Sequence, residues 1–340
     1  MENISVKEAP IVITGASGRV GSLVANALLA KGHKIRIVAR DIAKVKELKE
    51  RGAEIKIGSF KDAAFMTDVF TGARSAFVLT PINLTAMNVN DEQSLNIHGI
   101  IKGIKNSGIS NIVLLSSWGT ELTEKSGGIM GCRLFENMLD GIPGINTVFL
   151  RPVWFMENFL FNLELIKMAG INGLAIKPEV KFPMIATCDI AATATEYLED
   201  LSFKGRAVHY LSGPKEYSMI EVTHILGASI GKPKMKYKEF PASVLKKALV
   251  DSGKLSPDGA DMLIEINRCL STGILKPERR SKKNTTATTL EEFAKTQFAP
   301  SYNSMSEASF KNRLTGFFLR SFLSVAGNRM LEKERLQYAY

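Results

Sequence analysis

A run of small residues, Thr14–Gly21, has the composition needed to hold a phosphate group. Gly15 can turn tightly, Gly18 lets the backbone approach a pyrophosphate, and Gly21 lets a helix touch the preceding strand. The run lies between an apolar segment typical of a strand and residues at helical spacing, so free N–H groups of a helix would face the phosphates. No Walker Lys-Ser/Thr pair follows Gly21, which disfavours a nucleotide triphosphatase.

A second chemical signal is the basic residue at the end of the next predicted strand. Proteins that prefer NAD carry Asp or Glu there for the ribose 2′-hydroxyl, whereas this chain has Arg40. A guanidinium suits a 2′-phosphate, and Arg19 could supply a second charge, so the sequence favours NADP(H). Asp41 keeps NAD open, because a one-residue shift in register would put a carboxylate at that place.

The elements that must position these residues alternate along the first half of the chain. Apolar, β-branched runs predict strands at 11–14, 35–39, 55–57, 75–80, 111–116 and 146–151, with helices between them at about 20–30, 41–51, 62–72, 89–107 and 131–141. This order predicts right-handed crossovers and a parallel sheet covered on both faces. After Pro152 we expect helices at about 155–169, 189–201, 218–229, 242–251 and 258–271, a loop at 170–185, and a strand at 207–211 that returns to the sheet.

The predicted fold is α/β, with an NAD(P)-binding Rossmann-type, doubly wound parallel sheet and a smaller, mostly helical substrate lobe. The dinucleotide-binding domain would cover 1–154, with 186–213 returning to it. The lobe would comprise 155–185 and 214–300, and 301–340 would form a basic amphipathic C-terminal extension.

Composition is that of an ordinary globular chain of 340 residues, 45% of them hydrophobic. The polar start and the lack of a long apolar run predict a cytoplasmic protein, and three scattered cysteines and four histidines without ligand spacing predict no metal. The net charge of +10 lies entirely in residues 201–340. Without a recognition motif, this charge makes nucleic-acid binding an unfavoured hypothesis.

Several segments resemble the NmrA-like branch of the atypical short-chain dehydrogenase/reductase superfamily, over roughly residues 8–298. The resemblance rests on segments 14–21, 38–41, 77–81, 114–117 and 288–293 and, most specifically, on Leu150-Arg-Pro-Val-Trp-Phe-Met-Glu-Asn-Phe159. It implies NADP(H) at the carboxyl ends of the strands, with a lobe closing the substrate cleft.

The same resemblance implies roles for individual residues. It assigns the pyrophosphate to Gly15, Ser17, Gly18, Arg19 and Val20, and the 2′-phosphate to Arg40. Ser59 and Phe60 would border the adenine, and Thr80 and Pro81 would border the ribose and the pyrophosphate. The residues implied to line the nicotinamide are Ser116, Ser117, Pro152 and Val153. The family usually has Gly-Asp at the end of the third strand, whereas this chain has Gly58-Ser59.

A proton donor is missing from its usual place. Members of the superfamily normally use a Tyr-x-x-x-Lys helix between the fifth and sixth strands, but the seven tyrosines lie at 197, 210, 217, 237, 302, 338 and 340. The helix there carries Cys132, Arg133 and Glu136 instead, and Cys132 is either a reactive thiol or a buried inert one. Carbonyl–alcohol interconversion through the usual acid is therefore disfavoured.

Two functions fit this pattern. The first is an NADPH-dependent oxidoreductase that transfers hydride to a small organic acceptor, such as a quinone or an iminium/enone, with Ser117 as hydrogen-bond donor. Trp118, Trp154 and Asn158 would then form walls of the substrate pocket, although the aromatic residues near 154–161 could equally be core. The alternative is a catalytically silent NADP(H)-binding redox sensor that acts through a protein partner.

The C-terminal extension repeats apolar residues every three or four positions, namely Phe310, Leu314, Phe317, Phe318, Phe322 and Val325, with basic residues between them. This pattern predicts an amphipathic basic helix. The helix would pack on the protein's own body or, alternatively, contact a membrane surface or a protein partner through 308–326.

Overall fold

The computed structural model describes residues 9–123, 125–307, 309, 315–316, 319 and 322–337. Its strands are β1 (Ile11–Ile13), β2 (Ile35–Ala39), β3 (Glu54–Ile57), β4 (Ser75–Val78), β5 (Asn111–Leu115), β6 (Asn146–Pro152), β7 (Trp154–Phe155), β8 (Ile171–Leu174), β9 (Lys181–Ile185), β10 (Arg206–Leu211), β11 (Glu216–Ser218) and β12 (Lys236–Glu239).

Its α-helices are α1 (Arg19–Ala30), α2 (Lys46–Glu50), α3 (Ala63–Phe70), α4 (Val89–Ser107), α5 (Ile129–Asp140), α6 (Leu163–Ala169), α7 (Thr187–Asp200), α8 (Met219–Ser229), α9 (Ala242–Asp251), α10 (Pro257–Thr272), α11 (Leu290–Phe293), α12 (Ala299–Ser304) and α13 (Asn328–Gln337). Short 3-10 turns cover Ile42–Val45 and Met156–Asn162, and π-helical turns cover Ala294–Phe298 and Leu323–Gly327.

Seven strands form one parallel sheet in the order β10-β6-β5-β4-β1-β2-β3. The chain runs outward from β1 to β3, then crosses back to β4 on the other side of β1. The strand order therefore reverses between β1 and β4, and open α/β sheets bind ligands at the carboxyl ends of the strands at such a switch point. The predicted doubly wound sheet is confirmed, including the return of the chain to it as β10.

The central strand β1 is buried on both faces because helices cover the sheet from both sides. Ile11 and Ile13 pack into the core formed with α1 and α7, whereas Val12 packs into the core formed with α3, α4 and α5. All three residues have no exposed surface. This alternation explains why β1 reads as a continuous apolar run.

The predicted loop at 170–185 is wrong, because this segment contains β8 and β9. β8 pairs in parallel with β12, and β9 pairs with β7 and, antiparallel, with β11. Each of these strands has five residues or fewer, and β9 contains Pro183. Such short strands depend on partners remote in the sequence, so the local pattern did not reveal them. The described residues thus form two small sheets, β11-β9-β7 and β12-β8, beside the seven-stranded one.

The described residues that follow α12 pack on β8 and α9. Leu319 and Leu323 belong to a small core with Ile171 and Phe240. The Glu334 carboxylate accepts hydrogen bonds from the backbone N–H of Ala242 and of the next residue, at the start of α9. Most of the predicted amphipathic helix, including Phe310, Leu314, Phe317 and Phe318, lies outside the described residues. Across the described ranges, no helix is both long and apolar enough to cross a membrane.

Candidate functional site

The glycine-rich loop joins β1 to α1 in a conformation that side chains would obstruct. Gly15 has φ +67°, and a Cβ on it would lie 2.6 Å from Leu79 Cδ1. A Cβ on Gly21 would lie 2.3 Å from the Gly15 carbonyl oxygen, so the helix and the loop touch at this position. Gly18 caps α1 without a side-chain hydrogen bond, which leaves the first N–H groups of the helix free of a side-chain acceptor.

Thr14 fixes this loop to the neighbouring strand. Its hydroxyl donates to the Leu79 carbonyl oxygen at 3.0 Å and accepts from the Leu79 N–H at 2.8 Å. Thr14 is fully buried, and its own N–H donates to the Phe77 carbonyl at 3.0 Å. These bonds join the carboxyl ends of β1 and β4 at the switch point, a role that sequence reasoning missed.

A cavity of about 210 Å³ opens at the carboxyl ends of β2, β3 and β4. The cavity is lined by four of the residues that the sequence analysis assigned to the cofactor, namely Arg40, Ser59, Phe60 and Pro81. Five further residues that sequence reasoning did not select also line it: Lys61, Ile82, Asn83, Glu92 and Asn96. The cavity therefore combines two cations with a carboxylate and two amides. The one local signal for Lys61 was its place directly after Phe60.

The register at the end of β2 is unambiguous. Arg40 lines the cavity, whereas the Asp41 carboxylate accepts a hydrogen bond from the Ala43 N–H at 2.9 Å and caps the following 3-10 turn. The Asp41 carboxylate, which left NAD as an alternative cofactor in the sequence analysis, therefore caps the 3-10 turn.

Arg19, the first residue of α1, contacts the 3-10 turn at Met156–Asn162. Its guanidinium carbon lies 5.0 Å from the ring centroid of Phe161, whose residue is 71% exposed. Burial lowers the pKa of Arg19, and the nearby Glu157 carboxylate opposes that shift. Arg19 is not among the residues lining the cavity at Arg40, so the second cation there is Lys61 and not Arg19.

The carboxyl ends of β5 and β6 bring together the residues assigned to the nicotinamide. The Ser116 N–H donates to the Leu150 carbonyl at 2.8 Å, and the Trp118 N–H donates to the Pro152 carbonyl at 3.2 Å. The Ser117 hydroxyl is half-buried and donates to the Trp118 carbonyl at 3.0 Å.

A buried ion pair occupies α5, the helix on which the proton donor was sought. Glu136 is 3% exposed and accepts hydrogen bonds from Ser116 Oγ at 2.5 Å and from Arg151 Nη2 at 2.5 Å. Arg151 Nε donates at 3.0 Å to Oε1, the oxygen that also accepts from Ser116, whereas Nη2 donates to Oε2, which makes the pair bidentate. Burial opposes the charge on Arg151, but its hydrogen bonds and ion pair with Glu136 outweigh this and raise its pKa.

Cys132 and Arg133, on the same helix, are engaged in structure. Burial of the sulfur, reinforced by the Glu136 charge, raises the pKa of the Cys132 thiol to about 12. The Arg133 guanidinium donates to the Leu122 carbonyl at 2.9 Å. A thiol with such a pKa is an inert one, which favours the structural interpretation of Cys132.

The aromatic residues near the cleft differ in burial: three of them are buried, whereas Phe161 is 71% exposed. Trp118, Trp154 and Phe159 are buried, and Trp154 meets Phe182 edge-on with ring centroids 6.1 Å apart. The Trp154 indole nitrogen is buried without a hydrogen-bond partner among the described residues. Asn158 is half-buried.

In the part of the chain that the structure describes, no group of three His, Cys, Asp or Glu side chains could hold a metal ion.

Comparison with known proteins places the chain in the same family that the sequence motifs resemble. The model of the NmrA-like family matches residues 7–294. The chain is 27% identical over 244 residues to the NAD(P)H azoreductase of Xenophilus azovorans, covering 72% of this chain and 81% of that protein. It is 26% identical over 288 residues to the agroclavine dehydrogenase of Claviceps fusiformis, covering 84% and 94%.

A solved structure shares the fold. The NADPH-dependent quinone oxidoreductase of Escherichia coli, complexed with NADPH, superposes with a TM-score of 0.70 at 24% identity, covering 84% of this chain and 98% of that one. The resemblance inferred from the sequence is confirmed: the chain belongs to the NmrA-like family.

Proposed function

We propose that the protein is an NADPH-dependent oxidoreductase that transfers hydride to a small organic acceptor, such as a quinone or an iminium/enone. The observation that carries this proposal is the pair of cations, Arg40 and Lys61, in one cavity at the carboxyl ends of β2, β3 and β4. Two cations suit a 2′-phosphate, and the neighbouring Asp41 carboxylate is used as a cap.

The residues present fit a dinucleotide along the whole switch point. Backbone N–H groups at Ser17 and Val20 would hold the pyrophosphate at the start of α1, and Arg19 would add a charge. The Gly18 N–H donates to the Gly15 carbonyl at 2.9 Å, so the part of Gly18 would be to let the backbone approach the pyrophosphate. Space for this comes from the close approach of Gly21 to Gly15, which an added Cβ would prevent. Ser59 and Phe60 would border the adenine. Thr80, whose hydroxyl is buried without a partner among the described residues, would face the ribose together with Pro81.

NADPH, when bound, supplies the hydride. The chain would bind and orient the dinucleotide and the acceptor, and would exclude water from them. Ser116, Pro152 and Val153, at the carboxyl ends of β5 and β6, would line the nicotinamide. Ser116 is held by Glu136, whereas Ser117 retains lone pairs and a rotatable hydroxyl that could turn to an acceptor oxygen. Trp118, Trp154 and Asn158 would border that acceptor.

The chemistry of α5 supports an acceptor that needs no strong protein acid. Glu136 is held by Arg151, and the pKa of Cys132 is about 12. An iminium needs no proton, and a quinone yields a stabilised phenolate that water can protonate. The kinship with an NAD(P)H azoreductase and an agroclavine dehydrogenase supports reduction or oxidation of small molecules.

The test is a fluorescence titration with NADPH and NADH, followed by oxidation assays with a panel of quinones, iminium ions and enones. We expect tighter binding of NADPH and turnover with at least one acceptor class. Tighter binding of NADH would refute the role of Arg40. Binding of NADPH without turnover of any acceptor would instead support the redox-sensor alternative.

A further inference from the structure

A basic loop, residues 276–283, follows α10. Five of its eight residues are cations and one is a carboxylate. One of the cations, Arg280, pairs with Glu216 at 3.4 Å. The other four are exposed, and none of them pairs with a carboxylate among the residues that the structure describes; they are Lys276, Arg279, Lys282 and Lys283. The basic loop is therefore a concentrated positive charge without compensation.

Both ends of the basic loop are attached at the carboxyl edge of the seven-stranded sheet. Leu275, just before it, is buried against the chain after β5, where a Cβ on Gly119 would lie 2.3 Å from Leu275 Cδ2. Asn284, just after it, is bonded to the chain after β10, because the Ser212 N–H donates to the Asn284 carbonyl at 2.9 Å. β6 lies between β5 and β10. The two attachments therefore flank the carboxyl end of β6, where Pro152 and the nicotinamide would meet.

The backbone of the basic loop is fixed by hydrogen bonds. The Asn284 side chain accepts from the Ser281 N–H at 2.7 Å and donates to the Arg279 carbonyl at 3.0 Å. Arg280 Nε donates to the Gly213 carbonyl, in the chain after β10, at 3.1 Å. The four exposed charges are thus held at this edge of the sheet.

The strand order separates the basic loop from the phosphates of the cofactor. The glycine-rich loop follows β1, four strands away from β10, and Arg40 follows β2, five strands away. Neighbouring strands lie about 4.8 Å apart, so these distances are roughly 19 and 24 Å. Exposed charges so far apart are largely screened at physiological ionic strength, where the Debye length is about 8 Å. β6 is the direct neighbour of β10, so the loop acts on the end of the site where hydride is transferred.

We propose that the basic loop selects acceptors that carry a negative charge, such as a carboxylate, beside the group that is reduced. This inference rests on the proposed function and extends it from the reaction to the class of acceptor. Cations of one sign beside a cleft raise the local concentration of an anion and its rate of association. A quinone of this class takes up the hydride and a proton from water, which gives the hydroquinone and NADP⁺, and its carboxylate is unchanged.

The experiment compares two naphthoquinones that differ only at the end of one side chain, which is a propanoate in one and the corresponding methylamide in the other. The kcat/KM of each is measured at saturating NADPH, and the Kd of each is measured with NADP⁺ present, by quenching of the two tryptophans of the chain. We expect the propanoate to be preferred at least about fivefold in both quantities at low salt. The preference should fall below about twofold at 1 M salt, where the Debye length is about 3 Å.

Two variants with the same loss of charge test the role of the basic loop. In the loop variant, the four exposed cations are changed to glutamine, and the preference for the propanoate should fall below about twofold. The control variant loses four exposed lysines from segments that lead to the amino ends of β2, β3 and β5, and it should keep the preference. Its changes are Lys34→Gln, Lys49→Gln, Lys102→Gln and Lys105→Gln. Both variants should still prefer NADPH to NADH, because Arg40 and Lys61 are intact.

Turnover of both quinones with equal kcat/KM and equal Kd would overturn the inference and leave the proposed function in place. An unchanged preference in the loop variant, or an equal loss in the two variants, would do the same. Binding of the propanoate that depends on the basic loop, without turnover of any acceptor, would support selection of an anion and overturn the proposed oxidoreductase. Binding of neither quinone would overturn the inference, whereas the titration with NADPH and NADH and the acceptor panel decide the proposed function separately.

Discussion

Removal of the two cations in the cavity should abolish the preference for NADPH over NADH. A hydrogen bond to a charged group contributes about 1.5–3 kcal/mol. Arg40 and Lys61 are both exposed at the cavity wall, so solvent screening places each near the lower limit. Arg40→Ala or Lys61→Ala should therefore weaken NADPH binding by about 10- to 30-fold.

The discriminating measurement is the ratio of the two affinities. NADH lacks the 2′-phosphate, so its affinity should change by less than about threefold in either variant. Lys44→Ala, which removes an exposed lysine from the neighbouring 3-10 turn, is the matched control and should leave both affinities unchanged. The effect should also shrink as salt concentration rises, because these charges remain accessible to ions.

Equal losses for NADPH and NADH would refute this reasoning, since they would mean that the cations hold a part common to both dinucleotides. An unchanged ratio in Lys61→Ala together with a collapsed ratio in Arg40→Ala would restrict the 2′-phosphate contact to the guanidinium.

Three further predictions concern the loop and α5. Gly21→Ala should lower both the melting temperature and the affinity for the dinucleotide, because the added Cβ would clash with the backbone of Gly15. The control is Gly141→Ala, where the added Cβ would make ordinary contacts of 3.6 Å and φ is −77°, and it should change neither quantity. Equal effects of the two substitutions would contradict the close approach of α1 to the loop. Glu136→Gln should destabilise the protein by about 1.5–3 kcal/mol in denaturant unfolding, because the half-buried Arg151 guanidinium loses its bidentate carboxylate and keeps only Tyr210 and the more distant Glu121. The control Glu121→Gln removes a longer contact of the same Arg151 guanidinium, at 3.6 Å from an exposed carboxylate, and should cost under about 1 kcal/mol. Cys132 is half-buried, and its pKa of about 12 leaves little thiolate at neutral pH, so iodoacetamide should label it far more slowly in the folded than in the unfolded protein. Equal labelling rates in the two states would contradict the raised pKa.

The fold was predictable where burial imposes a local pattern. β2, α4 and α9 begin and end where the sequence places them, because each has a clear apolar period or terminal signal. The strands of the lobe were not predictable in this way. β12 is Lys-Tyr-Lys-Glu, with charged residues at three of its four positions, and it is a strand because β8 lies beside it.

The candidate site was predictable in part for the same reason. Arg40 directly follows one predicted strand and Ser59 lies two residues after the next, so the topology of a parallel sheet brings them to one edge. Asn96 lies inside a helix, and only the docking of α4 at Gly99 brings it to that edge. A signal did exist, since glycines at 99 and 103 on the same helix face as two polar residues indicate a close helix contact beside a polar site.

The ion pair on α5 links the fold to the proposed chemistry. A buried carboxylate with a bidentate arginine and a serine donor is costly to disturb, so Glu136 is a poor acid or base but a rigid support. Through Ser116 it fixes the carboxyl end of β5, and through Arg151 it fixes β6. These two strand ends are where the nicotinamide would lie. A helix that elsewhere donates a proton would therefore serve here to hold the floor of the site in place, and selection among acceptors would depend on the shape of the cleft and on the hydride donor.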